Sequence, residues 1–108
     1  KPWSVIEHRL RCAARADLVI ALYNPASRTR TEQIAMAKDV LLQERPPETV
    51  VVLGRDIGRS QESLTVTTLG EFDPGVVDML TLVMIGASST RVTAGGRVWT
   101  PRFVSVEA

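Results

Sequence analysis

Apolar residues near the start of the chain recur at two different spacings. Trp3, Ile6, Leu10 and Ala13 return every three or four positions, which predicts a helix over about 3–15 with Pro2 in the first turn, where its missing N–H costs nothing. The next run, DLVIALY (17–23), is short, continuous and rich in β-formers. That is the pattern of a strand covered on both faces, expected at the centre of a sheet. A helical period returns in Ile34, Ala35, Ala37, Lys38, Leu41 and Leu42, so a second helix is predicted over about 30–44, closed by RPP at 45–47. Thr29 and Glu32 fit the S/T-x-x-E capping box at its start.

Beyond residue 48 the pattern turns to strands. TVVVLG (49–54) and LTLVMIG (80–86) read as buried strands, and the alternating, Thr-rich SLTVTTLGEF (63–72) as a half-exposed or edge strand. RVWTPRF (97–103) reads as a final edge strand, because Pro101 has no N–H for a central ladder. The expected fold is therefore α/β (α+β), a mixed sheet of about five strands with helices packed on it. In mixed sheets of this kind the loops after the strands gather at one edge and line a crevice. Those loops are YNPASR after the first strand, GRDIGR after the second and GASSTR after the fourth.

Length and composition narrow the classes. A chain of 108 residues that is 44% hydrophobic has room for one core and one domain, residues 1–108. Thirteen basic residues against twelve acidic ones give a net charge of +1, which predicts no bulk attraction to nucleic acid or to an anionic membrane. A single cysteine, Cys12, excludes an internal disulfide framework and a multi-cysteine zinc site and suits a reducing, cytoplasmic setting. No apolar run approaches the roughly 20 residues that span a bilayer. The opening KPWSVIEHRL lacks an initiator Met and enters a helix at once, so the expectation is a piece of something longer.

Three stretches offer chemistry. NPASRTRTE brings a helix start, the Ser27 hydroxyl, Arg28 and Arg30 together, a combination that favours an anion such as a carboxylate or phosphate. Against this, capping by itself explains Thr29 and Glu32, with both arginines solvated. GRDIGR carries no G-K-[ST], and no G-x-G-x-x-G follows a strand, so nucleotide motifs are excluded. Its glycines also suit a plain turn with Arg55 and Asp56 paired at the surface. GASSTR reads equally as an N–H and hydroxyl nest for an anion or as an ordinary polar loop.

Catalytic groups are scarce. His8, the only histidine, falls on the first helix and is expected at the surface, and Cys12 is expected to pack as a small apolar group. Glu62, Glu71, Asp73 and Asp78 form no metal or paired-carboxylate signature, so no metal is expected and no catalytic acid or base is identified. An enzyme built from this chain would work mainly by positioning two reactants.

DLVIALYNPASRTR, VVVLGRDIGR, ESLTVTTLGEFD and above all VDMLTLVMIGASSTR followed by VWTPR occur in an order that resembles the carboxyl-terminal half of the precorrin-3B C(17)-methyltransferases, a branch of the tetrapyrrole methylases of cobalamin biosynthesis. The resemblance runs over nearly the whole chain. It implies the carboxyl-terminal domain of a two-domain, usually homodimeric enzyme, with S-adenosylmethionine as methyl donor bound in the cleft between domains and the tetrapyrrole in an adjoining trough. It implies methyl transfer to carbon 17 of precorrin-3B, or of its cobalt counterpart, with contraction of the ring. On this resemblance Leu22, Tyr23 and Asn24 contact the cofactor's methionine and adenosine parts. Arg55, Asp56 and Ile57 form another cofactor edge, and Leu80 and Thr81 approach the adenine. Ser27, Arg28 and Arg30 become candidates for the carboxylate arms of the tetrapyrrole. This chain would then supply half of the cofactor cleft and be inactive without the amino-terminal domain. The rival reading is a non-enzymatic anion-binding or protein-interaction module that uses the same three loops.

Overall fold

The computed structural model describes residues 2–23, 31–58, 60–77, 80–92 and 98–99. Helix α1 spans Trp3–Arg15 and α2 spans Thr31–Glu44, joined through strand β1 (Ile20–Tyr23). Then come β2 (Val50–Arg55), β3 (Ser63–Thr68), a single 3-10 turn at Pro74–Val76, β4 (Thr81–Ile85), and the short β5 (Arg91–Val92) and β6 (Val98–Trp99). Thr29 of the predicted capping box, and the region 100–103 of the predicted last strand, lie outside the described residues.

Both helices form where the 3.6-residue period puts one apolar stripe on the sheet. Pro2 caps α1 in extended geometry, and its carbonyl accepts from the N–H groups of Val5 and Ile6. Leu10 and Ala14 of α1 and Ile34, Ala37, Val40 and Leu41 of α2 are buried in one core with Val51, Leu69, Val83 and Ile85. On the outer side of the helix pair, Arg11 and Arg15 both bond the Glu44 carboxylate, at 2.9 and 3.0 Å. Those ion pairs are solvated and set the pairing of the helices more than its strength. His8 is exposed, as expected. Cys12 corrects its expectation: it is exposed one turn further along the same face, its Sγ 3.6 Å from His8 Nε2.

The sheet carries helices on one face, in keeping with the expected class, but its order is β1-β4-β2-β3 and every neighbouring pair is antiparallel. β5 and β6 form a separate two-stranded ribbon. In the four-stranded sheet β1 is therefore an edge strand and not the expected central one; the central strands are β4 and β2. Its apolar run is explained by burial of Ile20 and part-burial of Leu22 against the helices, not by neighbours on both sides.

Cross-strand partners share a face, so the register sorts the side chains. Ile20, Ile85, Val51 and Thr67 stand in one row, with Leu22, Val83, Leu53 and Thr65 in the next, all facing the helices. The alternate rows, Ala21–Met84–Val52–Val66 and Leu82–Gly54–Leu64, belong to the other face. No helix among the described residues lies over that face, and Leu64 and Val66 remain 62% and 40% exposed there.

Candidate functional site

The antiparallel insertion of β4 decides which loops meet. β1 and β2 run the same way, with β4 reversed between them, so the ends of β1 and β2 and the beginning of β4 lie together at one edge of the sheet. The pairs Tyr23↔Leu82 and Arg55↔Thr81 record this directly. Of the residues singled out from the sequence, Leu22, Tyr23, Arg55, Asp56, Ile57, Leu80 and Thr81 are thereby gathered at this edge. Asn24, Ser27, Arg28 and Arg30 lie outside the described residues.

The ladder runs one step past the strands here. Asp56 N–H donates to the Leu80 carbonyl at 3.1 Å, which continues the β2–β4 register beyond Arg55↔Thr81. Asp56 then turns out of the sheet with φ of 54°, a left-handed conformation that Asp tolerates better than most residues. The turn folds Ile57 back over Gly54. A Cβ at Gly54 would stand 2.9 Å from Ile57 Cδ1 and 3.3 Å from Leu64 Cδ2, so a glycine lets the isoleucine lie on the sheet. Thr81 is buried, whereas Leu80 and Ile57 are 40% and 51% exposed. The edge thus offers exposed apolar side chains beside polar main chain at the ends of strands, a surface suited to an aromatic heterocycle with polar substituents. The glycines of GRDIGR are expected in a turn; Gly58 does turn, with φ of 82°, but Gly54 stands inside β2 beneath Ile57.

GASSTR does not join this edge. Because β4 runs opposite to β2, the loop leaves the far end of the sheet and meets the end of α1. Ser88 donates its backbone N–H to Asp17 at 2.8 Å and its hydroxyl to the other oxygen of the same carboxylate. The anion held by this nest is the protein's own Asp17. Thr90 Oγ1 accepts from Ala87 N–H at 2.9 Å, and Gly86 leaves room for it: a Cβ there would come 2.8 Å from Thr90 Cβ.

Asp17 also ends α1. Leu18 N–H returns to Ala13 O and Asp17 N–H to Ala14 O, a Schellman closure whose left-handed position, φ 59°, carries Asp in place of the usual glycine. Burial pushes its carboxyl upward; the Ser88 bonds and the charge of Arg45 outweigh this and hold it below the ordinary range. Arg45, only 7% exposed, donates to the carbonyls of Gly86 at 2.7 Å, of Ala13 at 3.3 Å and of Leu18. A groove of about 380 Å³ opens beside it, lined among others by Asp17, Glu44, Glu48 and Arg91. Asp17, Glu44 and Arg91 are already engaged, with Ser88, with Arg11 and Arg15, and with the carbonyls of Ser88 and Thr90. This end is a lock between helix and sheet.

Among the described residues no group of three His, Cys, Asp or Glu side chains could hold a metal ion, and no helix is long and apolar enough to cross a membrane.

No protein-family model matches the chain. It is 46% identical over 107 residues to the precorrin-3B C(17)-methyltransferase of a Sinorhizobium species, covering 95% of this chain and 42% of that protein. To the probable cobalt-factor III C(17)-methyltransferase of Salmonella typhimurium it is 43% identical over 101 residues, with 94% and 42% covered. To the cobalamin biosynthesis protein CobIJ of Mycobacterium tuberculosis it is 44% identical over 109 residues, 94% of this chain but 22% of that protein. Among solved structures, the methyltransferase CobJ superimposes with a TM-score of 0.86 at 35% identity, over 94% of this chain and 42% of that one. The chain spans well under half the length of each of these relatives.

Proposed function

This chain is a homologue of the precorrin-3B and cobalt-factor III C(17)-methyltransferases over 94% of its length, and from that premise we propose that it is the carboxyl-terminal module of such an enzyme. The module supplies one wall of a cleft for S-adenosylmethionine, and a second, amino-terminal module supplies the other. The complete enzyme transfers the methyl group to carbon 17 of a tetrapyrrole, precorrin-3B or its cobalt form, in cobalamin biosynthesis, and acts as a homodimer in the cytoplasm.

The observation that carries this reading is the convergence at one sheet edge of the three segments that the family resemblance assigns to the cofactor. Leu22 and Tyr23 end β1, Arg55 to Ile57 end β2, and Leu80 and Thr81 open β4. The residues suit the group. Leu80 and Ile57 offer apolar contact for an adenine, and the main chain at the strand ends offers polar contact for the ribose and methionine portions. S-adenosylmethionine, when bound, supplies an electrophilic methyl on a sulfonium. This module's part is to bind, orient and keep water away. Ser27, Arg28 and Arg30 follow β1 in the chain and are assigned to the carboxylate arms of the macrocycle.

The test is methyl transfer from labelled S-adenosylmethionine, with precorrin-3B and its cobalt form offered separately. A protein joining this module to the remaining portion seen in the relatives should methylate one of the two, and the 108-residue chain neither. Tight S-adenosylmethionine binding by the 108-residue chain in calorimetry would overturn the half-cleft assignment. In the joined protein, Asn24→Ala should weaken cofactor binding about tenfold, the loss of one good polar contact; unchanged affinity would remove Asn24 from the site.

A further inference from the structure

Among the described residues strand β3 is paired on one side, by β2, and the ladder shows which of its backbone groups face outward. Leu69 N–H donates to Thr49 O, and the register below it pairs Thr67, Thr65 and Ser63 with Val51, Leu53 and Arg55. In an antiparallel ladder the bonded residues alternate, so these odd positions bond β2, and the N–H and C=O groups of Leu64 and Val66 point away from the sheet. The strand that bears this edge has none of the usual guards against pairing. Ser63–Thr68 contains no Lys, no other charge and no Pro. Its outer positions also carry apolar side chains: Leu64 and Val66 are 62% and 40% exposed, and Ile57 beside them 51%.

We propose that the β3 edge is the surface on which two copies of this chain meet, β3 against β3, so that two four-stranded sheets become one of eight. The strand is complementary to its own two-fold copy. With Thr65 on the axis, Leu64 N–H meets Val66 C=O of the second copy and Val66 N–H meets its Leu64 C=O, and the symmetric pair doubles the set to four bonds. The same register sets Leu64 against Val66 across the axis, which joins the two exposed apolar patches into one and shields their adjoining sides from water. Glu62 falls opposite Thr68, and its carboxylate already accepts from Gly58 N–H at 3.0 Å, so no like charges are brought together. A second copy answers the outward donors and acceptors of Leu64 and Val66 with groups of the opposite kind, while the Thr68 carbonyl already accepts from the N–H groups of Glu71 and Phe72. The inference rests on the homodimer proposed above only for the expectation that two copies associate; where they do so follows from the ladder.

Sedimentation of the 108-residue chain at tens of micromolar is the first measurement, and a dimer is expected. Val66→Pro removes a donor that faces the free edge and takes nothing from the β2 ladder. It should raise the dissociation constant tenfold or more and leave far-UV circular dichroism unchanged. Val66→Lys, which leaves every backbone donor in place, should do the same by setting two cations across the axis. In a Cys12→Ser background, Thr65→Cys should cross-link to its own copy under mild oxidation, and adding Val66→Lys should abolish the cross-link. A chain that stays monomeric overturns both the interface and the association of this module. A dimer indifferent to both Val66 variants, or one in which Thr65→Cys does not cross-link, overturns the interface and leaves the association standing.

Discussion

Asp56 N–H donates to the carbonyl of Leu80 at 3.1 Å, binding two of the three segments at the candidate edge through main chain alone. Their separation is fixed by the β2–β4 ladder and not by side chains. Side-chain changes at this edge should therefore alter what it contacts without moving it.

The left-handed backbone at Asp56 gives a direct check. Asp56→Gly should leave stability within about 1 kcal/mol of the parent, on the favourable side, and Asp56→Val should cost about 1–2 kcal/mol, because a β-branched residue resists φ near 54°. Urea titration of the three proteins decides it. Equal stability of the Gly and Val variants would mean that the turn is not held in this conformation.

Gly54 and Ile57 should be energetically coupled. Gly54→Ala sets a methyl 2.9 Å from Ile57 Cδ1, a flexible side-chain end, so the cost should be about 1–2 kcal/mol and should largely vanish in an Ile57→Ala background. A double-mutant cycle with no coupling would show that Ile57 does not lie on Gly54. If this edge is the cofactor wall, Gly54→Ala should also weaken S-adenosylmethionine binding in the joined protein.

Far from that edge, Asp17 predicts an acid-sensitive contribution to stability. A carboxyl held below its ordinary range in the folded state stabilises fully above the unfolded aspartate value, about 4, and that contribution is lost as pH falls through the lower folded value. Asp17→Asn should lower the urea midpoint at pH 7 and approach the parent below pH 3. Asp17→Gly should be milder than Asp17→Ala by about 1 kcal/mol, since glycine restores the usual left-handed cap while losing the Ser88 bonds. A gap between parent and Asp17→Asn that does not narrow in acid would refute the assignment.

Arg45 should be among the most costly polar positions to replace. Arg45→Met keeps the buried stem but strips a donor from the carbonyls of Gly86, Ala13 and Leu18, with an expected loss of about 2–4 kcal/mol. Arg45→Lys, which reaches fewer of the three, should fall between. Chemical denaturation checks both; a loss under about 0.5 kcal/mol, the range of an ordinary surface site, would show that the guanidinium is not seated as described.

The periodicities made the elements legible, and the pairing of strands hid the rest. Trp3, Ile6, Leu10 and Ala13 placed α1 correctly, and the RPP stop placed the end of α2, because both signals are local. The reversal of β4 was not legible, since LTLVMIG reads the same in either direction, and that reversal sends GASSTR to the far end of the sheet. Arg45 enters the sequence reading only as part of the RPP stop; its burial depends on carbonyls 27 to 41 positions away. At the candidate site the resemblance supplied the segments and the register supplied their convergence, while Gly54, read as a turn glycine, stands inside β2 because the contact that requires it comes from Ile57 after the turn.

The placement of β4 has a consequence for how the chain reaches its shape. The strand that joins β1 to β2 is made after both of them, and its last pair, Ile20↔Ile85, spans most of the described sequence. A growing chain can assemble α1, α2 and the β2–β3 hairpin from near neighbours, but among the described residues the one strand that β1 lies against is β4, at Leu82 to Ile85. Closure should therefore be late and set by that one long-range event. A chain cut off after Phe72 should keep its helices, lose the centre of its sheet and be a ready target for proteolysis.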